Sequence, residues 1–121
     1  MVLDTNILIA YLNDESIVIE TIENWKRGGR VLFISSITTA EVLALPSLRP
    51  VDGDRIRKFL GNFVSVPMDD DVAESAATIR RLYRLEIPDA TIAATALING
   101  VPLVTRDRQF RRVFGLILVT L

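Results

Sequence analysis

The first twelve residues, MVLDTNILIAYL, join a short apolar strand to an apolar helix through Asp4, Thr5 and Asn6. This order places a carboxylate at the carboxyl end of a strand. In open parallel α/β sheets, ligands bind outside the carboxyl ends of the strands, so Asp4 is a candidate site residue. Asp, Thr and Asn are also good helix N-caps, and capping alone explains a single acid at such a junction. Further acids at similar junctions would favour a functional site.

The rest of the chain continues this alternation of apolar strands and helices. Strands are predicted at residues 1–3, 31–34, 63–66, 102–105 and 116–119, and helices at residues 7–12, 17–27, 40–45, 55–62, about 70–85, 90–98 and 109–113. Such alternation favours a mostly parallel sheet with helices on both faces. We therefore predict an α/β fold, a single three-layer α/β/α domain spanning residues 1–121.

Three consecutive acids, Asp69 to Asp71, precede one of these helices. Consecutive side chains point in different directions, and acids suit a helix N-terminus. We therefore predict that one of them caps the helix and that the three do not form a metal site.

The chain contains no cysteine and no histidine. This excludes disulfides, thiolate zinc sites and a cysteine nucleophile, and removes the commonest general base and metal ligand. Asp and Glu remain to hold a metal, and oxygen ligands favour Mg²⁺ or Mn²⁺. No apolar run approaches the roughly 20 residues that span a bilayer, and the first residues do not form a signal peptide. We expect a soluble cytoplasmic protein that does not bind a membrane.

The formal net charge is −1, which gives no overall electrostatic case for nucleic-acid binding. Lys and Arg nevertheless occur in clusters, several of them where a helix should end, and there the helix dipole explains them. The last cluster lies beside an acid at a strand end and contains Arg106, Arg108, Arg111 and Arg112. It is the candidate phosphate contact, with Arg106 and Arg108 as predicted substrate-binding residues.

Four acids occupy comparable positions along the chain. Asp4 and Asp107 follow strands, whereas Glu41 and Asp89 lie in the first turns of predicted helices. Right-handed crossovers place all the strand carboxyl ends on one edge of a parallel sheet. Spacing alone does not show that Glu41 and Asp89 reach that edge. If all four converge, their repulsion would destabilise the cleft unless a cation neutralises it.

Four segments, in this order, resemble the PIN domain and more closely the VapC-type toxins of bacterial and archaeal toxin–antitoxin pairs. They are Asp4-Thr5-Asn6, Thr39-Ala40-Glu41-Val42, Pro88-Asp89-Ala90-Thr91-Ile92-Ala93-Ala94-Thr95-Ala96 and Leu103-Val104-Thr105-Arg106-Asp107. The resemblance covers essentially the whole chain.

The resemblance implies an endoribonuclease that depends on Mg²⁺, with Mn²⁺ as a substitute, and that hydrolyses RNA phosphodiester bonds. It assigns metal binding and catalysis to four acids, Asp4, Glu41, Asp89 and Asp107. It assigns supporting roles to Asn6 and Thr105, the latter by bonding to a neighbouring carboxylate. Because metal ions can activate the attacking water, no histidine is required. The resemblance also implies a homodimer and a cognate antitoxin whose tail crosses the active-site groove.

Gln109 departs from this pattern, since some family members carry a further acid there, and one or two metals remain possible. The alternative function is a PIN-like binding or scaffold module without nuclease activity, which the presence of all four acids disfavours. A phosphatase of the haloacid dehalogenase type also has an Asp after its first strand. That class needs a second acid where this chain has Asn6.

Overall fold

The computed structural model describes residues 1–121. The strands are β1 (Val2–Leu3), β2 (Phe33–Ser35), β3 (Val64–Val66), β4 (Leu103–Val104) and β5 (Leu118–Val119). The helices are α1 (Thr5–Leu12), α2 (Ser16–Arg27), α3 (Ser36–Leu43), α4 (Gly53–Leu60), α5 (Asp70–Tyr83) and α6 (Ile87–Asn99), with 3₁₀ turns at Pro50–Asp52 and Arg108–Arg112. None of the helices combines the length and the apolarity needed to cross a membrane.

The five strands form one parallel sheet in the order β3-β2-β1-β4-β5. Strand β1 lies at the centre, where Val2 pairs with Phe33 on one side and with Leu103 on the other. Because all the strands run in the same direction, their carboxyl ends share one edge. The predicted parallel sheet is confirmed.

Side chains of the central strands alternate between two hydrophobic cores, as the two-residue period of a strand requires. Val2 and Leu103 pack in the core formed with α5 and α6. Leu3 and Val104 pack in the opposite core, formed with helices α1 to α4. Each core contains 13 buried residues, which confirms the three-layer α/β/α architecture.

Helix α6 is buried along most of its length. Residues 90–96 are all buried, and small side chains there allow α5 and the sheet to approach closely. The buried Thr91 and Thr95 hydroxyls donate to the carbonyls of Ile87, at 2.7 Å, and Thr91, at 2.8 Å. These bonds satisfy polar groups that would otherwise be costly to bury. The predicted burial of this helix is confirmed.

Most elements begin one to four residues from their predicted starts, and the starts of β2 and α3 have a clear structural reason. Strand β2 begins at Phe33 because its amide pairs with the carbonyl of Met1, at 2.8 Å, and Val31 lies outside the strand with 54% of its surface exposed. Helix α3 begins at Ser36, four residues before the predicted start at Ala40. The Ser35 hydroxyl caps it by accepting from the Ile37 amide at 3.2 Å.

The cap of α5 agrees with the prediction for the three consecutive acids. Asp69 alone precedes the helix, and its carboxylate accepts a hydrogen bond from the Val72 amide at 2.9 Å. Asp70 and Asp71 lie in the first turn, where their charge favours the helix dipole.

Candidate active site

The carboxyl edge of the sheet carries the candidate site. Asp4 follows β1 and Asp107 follows the neighbouring strand β4, and the Asp4 amide donates to the Val104 carbonyl at 2.9 Å. Asp89 is the third residue of α6. Glu41 lies in the second turn of α3, one turn further along than the predicted helix start implied.

Asp4 is both a helix cap and a buried, oriented carboxylate. Only 4% of its surface is exposed. Its Oδ1 accepts from the Thr5 amide at 2.8 Å, and its Oδ2 accepts from the Thr105 hydroxyl at 2.6 Å. Each carboxylate oxygen can accept a further bond, so capping leaves Asp4 able to bind a ligand.

Burial and neighbouring acids raise the pKa of Asp4 from 3.8 to about 6. Loss of hydration is the largest cause, and the carboxylates of Asp89 and Asp107 raise the pKa further. The hydrogen bonds from Thr105 and Thr5 act in the opposite direction because they favour the charged form. The fold therefore holds Asp4 in a place where a nearby cation would be favourable.

Asp89 is coupled to the other acids of the edge. Its pKa is raised first by burial and then by the charges of Asp107, Glu41 and Glu86. Asp89 accepts no hydrogen bond, so both of its oxygens are open to a ligand. Asp4 therefore feels the charges of Asp89 and Asp107, and Asp89 feels those of Asp107 and Glu41, so the fold places these four acids in one region of the molecule. No three of these acids are arranged as a preformed metal-binding site.

Thr105 links the two strand-end acids. Its hydroxyl donates to Asp4 and accepts a hydrogen bond from the Asp107 amide at 3.0 Å, and the residue is 2% exposed. Asp107 in turn accepts from the Gln109 amide at 2.9 Å through Oδ1. Thr105 thus bonds to a carboxylate as expected, and that carboxylate is Asp4.

Two buried threonines that the sequence did not mark orient Glu41. The Thr5 hydroxyl donates to Glu41 Oε1 at 2.7 Å, and the hydroxyl oxygens of Thr5 and Thr38 are 3.0 Å apart. Because a hydroxyl has one proton and Thr5 directs it to Glu41, Thr38 is the donor to Thr5. Thr5 stood beside Asp4 in the strand–helix junction, but nothing local indicated which acid it would contact.

Asn6, two residues after Asp4 in the chain, contributes an acceptor atom without a hydrogen-bond partner. Its Oδ1 is buried and has no hydrogen-bond partner. A buried polar atom without a partner costs free energy that a bound ligand can recover. With Asp and Glu as the only other donors, this oxygen-rich set suits a hard cation such as Mg²⁺.

The two arginines predicted to bind substrate differ in their surroundings. The Arg106 guanidinium donates to Glu15 at 2.6 Å and to the carbonyl of Leu121 at 3.2 Å. Arg108 is exposed and makes no ion pair or side-chain hydrogen bond. Arg106 is therefore engaged within the protein, while Arg108 is free to meet a ligand.

A family model for the PIN domain matches residues 1–116. The chain belongs to the PIN domain family. Among curated proteins, no sequence matches this PIN domain significantly.

Solved structures similar to this PIN domain include several toxin–antitoxin complexes. A toxin–antitoxin complex from Klebsiella pneumoniae contains a chain that is 32% identical, with a TM-score of 0.84 over 98% of this chain and 95% of that one. A chain of DNA-bound VapBC from Salmonella typhimurium is 27% identical, with a TM-score of 0.82 over 98% and 96% of the two chains. VapBC2 from Rickettsia felis, bound to a promoter DNA fragment, shares the fold at 21% identity, with a TM-score of 0.85 over 99% and 97%.

Proposed function

We propose that this PIN domain is a divalent-metal-dependent endoribonuclease and the toxin of a toxin–antitoxin pair. The observation that carries the proposal is the placement of Asp4 and Asp107 after the neighbouring strands β1 and β4, joined through the Thr105 hydroxyl, with Asp89 near enough to interact electrostatically with both. Such mutually repelling carboxylates are stabilised by a cation, and an oxygen-only donor set favours Mg²⁺, with Mn²⁺ as a substitute. The family membership supports a nuclease.

Asp4, Asp89 and Asp107, with Glu41 beside them, would hold the metal. When bound, a divalent cation lowers the pKa of a coordinated water and stabilises charge on a phosphodiester. The Asn6 Oδ1 atom, buried and without a partner, fits a role as a further acceptor at this site.

The remaining groups of the site orient these acids. Thr105 holds Asp4 Oδ2, and Thr5 holds Glu41 Oε1, so these two carboxylates are fixed before substrate arrives. Asp89 is left without a hydrogen bond and can meet a ligand with both oxygens. With water as the nucleophile, cleavage breaks the bond to the 3′ oxygen and leaves a 5′-phosphate and a 3′-hydroxyl.

The expected partners are an RNA substrate, a cognate antitoxin protein and a second copy of the chain. The similar structures from Klebsiella pneumoniae and Salmonella typhimurium are complexes of toxins with antitoxins, which supports the antitoxin as a partner.

Cleavage of total RNA tests the proposal. The purified chain is incubated in Mg²⁺, Mn²⁺ or EDTA beside Asp4→Asn, Asp89→Asn and Asp70→Asn. Asp70 is the matched control because it is an exposed acid in the first turn of α5, outside the site. We expect metal-dependent cleavage that is lost in the first two variants and kept in the third.

Two results would contradict the proposal. Absence of cleavage by the folded, antitoxin-free protein, together with absence of Mn²⁺-induced stabilisation, would indicate a binding or scaffold module. Products that end in a 2′,3′-cyclic phosphate would rule out water as the nucleophile.

A further inference from the structure

A cavity of about 240 Å³ lies beside the acids, where β4 and β5 end. Its lining includes Asp107, the three arginines Arg106, Arg108 and Arg111, and the Thr120 hydroxyl. Asp107 belongs both to this cavity and to the acid cluster. A ligand in the cavity would therefore lie next to the candidate metal site.

Two of the three arginines are free to bind an anion. Arg108 and Arg111 are exposed, and neither forms an ion pair or a side-chain hydrogen bond. They are three residues apart in the 3₁₀ turn at Arg108–Arg112, and residues so spaced lie on the same side of such a turn. Phe110 between them is fully buried and anchors the turn to the core.

The other charged groups of the cavity form no ion pair with Arg108 or Arg111. Arg106 is already bonded to Glu15 at 2.6 Å. Asp107 forms no ion pair, and its Oδ1 accepts from the Gln109 amide. Two guanidinium groups thus remain without a direct ion pair, beside the Thr120 hydroxyl, and this is a set of donors suited to phosphate.

We propose that this cavity binds a backbone phosphate of the RNA strand, adjacent to the phosphodiester held at the acids. The inference rests on the proposed nuclease function. A strand bound at the acids must present its next phosphate to the neighbouring surface, and Arg108, Arg111 and Thr120 provide donors there. This contact also explains how a chain with a net charge of −1 and an acidic site holds a polyanion.

Binding of single-stranded RNA tests the proposal. Fluorescence anisotropy is measured with a labelled RNA of about 12 nucleotides, using Asp89→Asn protein so that the RNA stays intact. Arg108→Ala and Arg111→Ala are added to this background. Arg81→Ala is the matched control, since Arg81 is an exposed arginine of α5 outside the cavity and makes no ion pair.

We expect each cavity variant to bind RNA roughly five- to tenfold more weakly. The slope of log affinity against log salt should fall in magnitude by roughly 0.7 for each arginine removed, as for one lost phosphate contact on a single strand. Arg81→Ala should change neither quantity. Arg111→Lys should keep the slope and lose part of the affinity, because a lysine keeps the charge without the two-pronged geometry.

Affinity and slope in both cavity variants equal to those of the Arg81→Ala control would overturn the proposal. The proposal would also be overturned if the cavity bound poly-glutamate and the affinity for RNA were the same with and without both arginines. That result would assign the cavity to an acidic protein partner. Metal-dependent cleavage by the wild-type protein would show in either case that the nuclease function stands. Absence of both cleavage and RNA binding would instead reject the nuclease function and this proposal together.

Discussion

At the scale of single residues, Asp4 should make the stability of the metal-free protein depend on pH. Its pKa is about 6 in the fold against an ordinary value of 3.8, so the native state binds more protons than the unfolded state between these values. The free energy of unfolding therefore decreases as the pH rises through this range. The contribution of Asp4 to the free energy of unfolding is on the order of 2–3 kcal/mol. It is fully present below pH 3.8 and is lost once the pH exceeds about 6.

Urea denaturation in EDTA between about pH 4 and pH 7 measures this dependence. Asp4→Asn cannot ionise, so its stability should change less over the same range. If the free energy of unfolding changed equally with pH in Asp4→Asn and in the wild-type protein, the pH dependence would come from other groups. Asp89 is one such group, since its pKa is also raised.

The hydroxyl of Thr105 should set how far the pKa of Asp4 rises. It donates to Asp4 at 2.6 Å and lowers that pKa by favouring the charged form. In Thr105→Val the donor is lost with little change in shape, so the pH range over which stability falls should move upward. The free energy of unfolding at neutral pH should drop by roughly 1–3 kcal/mol.

Thr21→Val is the control for the Thr105 variant. The Thr21 hydroxyl bonds to the Ile17 carbonyl on the exposed surface of α2, and its loss leaves no buried group unpaired. We expect a change within about 0.5 kcal/mol. A Thr105→Val protein with the wild-type pH profile would show that this bond does not tune Asp4.

At the scale of elements, the small side chains of α6 should control the position of Asp89. Ala93 is fully buried in the core between α6 and its neighbours. Ala93→Leu would overfill this space, and we expect a loss of roughly 1–3 kcal/mol in urea denaturation. Because α6 also carries Asp89, the variant should lose RNA cleavage at temperatures where it remains folded.

Ala77→Leu tests the same change on an exposed position of the neighbouring helix α5. It should alter stability by less than about 0.5 kcal/mol and leave cleavage unchanged. Wild-type stability in Ala93→Leu would mean that α6 packs less tightly against its neighbours than its burial indicates.

At the scale of the whole molecule, metal binding should stabilise the fold. A cation that binds only the native state raises the free energy of unfolding, by about 2.7 kcal/mol at a concentration 100 times Kd. Mn²⁺ should therefore raise Tm by several degrees in the wild-type protein and in Asp70→Asn. The Mn²⁺-induced rise in Tm should be smaller in Asp89→Asn, because this substitution replaces a carboxylate of the site with an amide.

Thermal unfolding with and without Mn²⁺ checks this prediction, with EDTA to reverse the shift. The same shift in Asp89→Asn as in Asp70→Asn would place the metal elsewhere in the molecule.

The sequence predicted the fold well because its signals are local. Each signal is carried by residues that are close in the chain: the apolar runs of strand length, the small residues at 90–96 and the acids at strand ends. The predicted start of α3, at Ala40, was wrong because the local signal there is misleading. Ser36 and Thr38 compete for backbone hydrogen bonds and favour a loop locally, whereas in the fold Thr38 bonds to the hydroxyl of Thr5 and the helix includes both residues.

Local sequence patterns are enough to predict the order of strands and helices, the parallel sheet, and Asp4 and Asp107 at its carboxyl edge. Which side chain bonds to which acid depends on contacts between distant parts of the chain. Thr105 reaches Asp4 across 101 residues and Thr5 reaches Glu41 across 36, because the crossovers place β4 beside β1 and α3 beside α1. The tertiary structure also paired Arg106 with Glu15 and left Arg108 free. Such contacts depend on strand order and register, which no local pattern encodes.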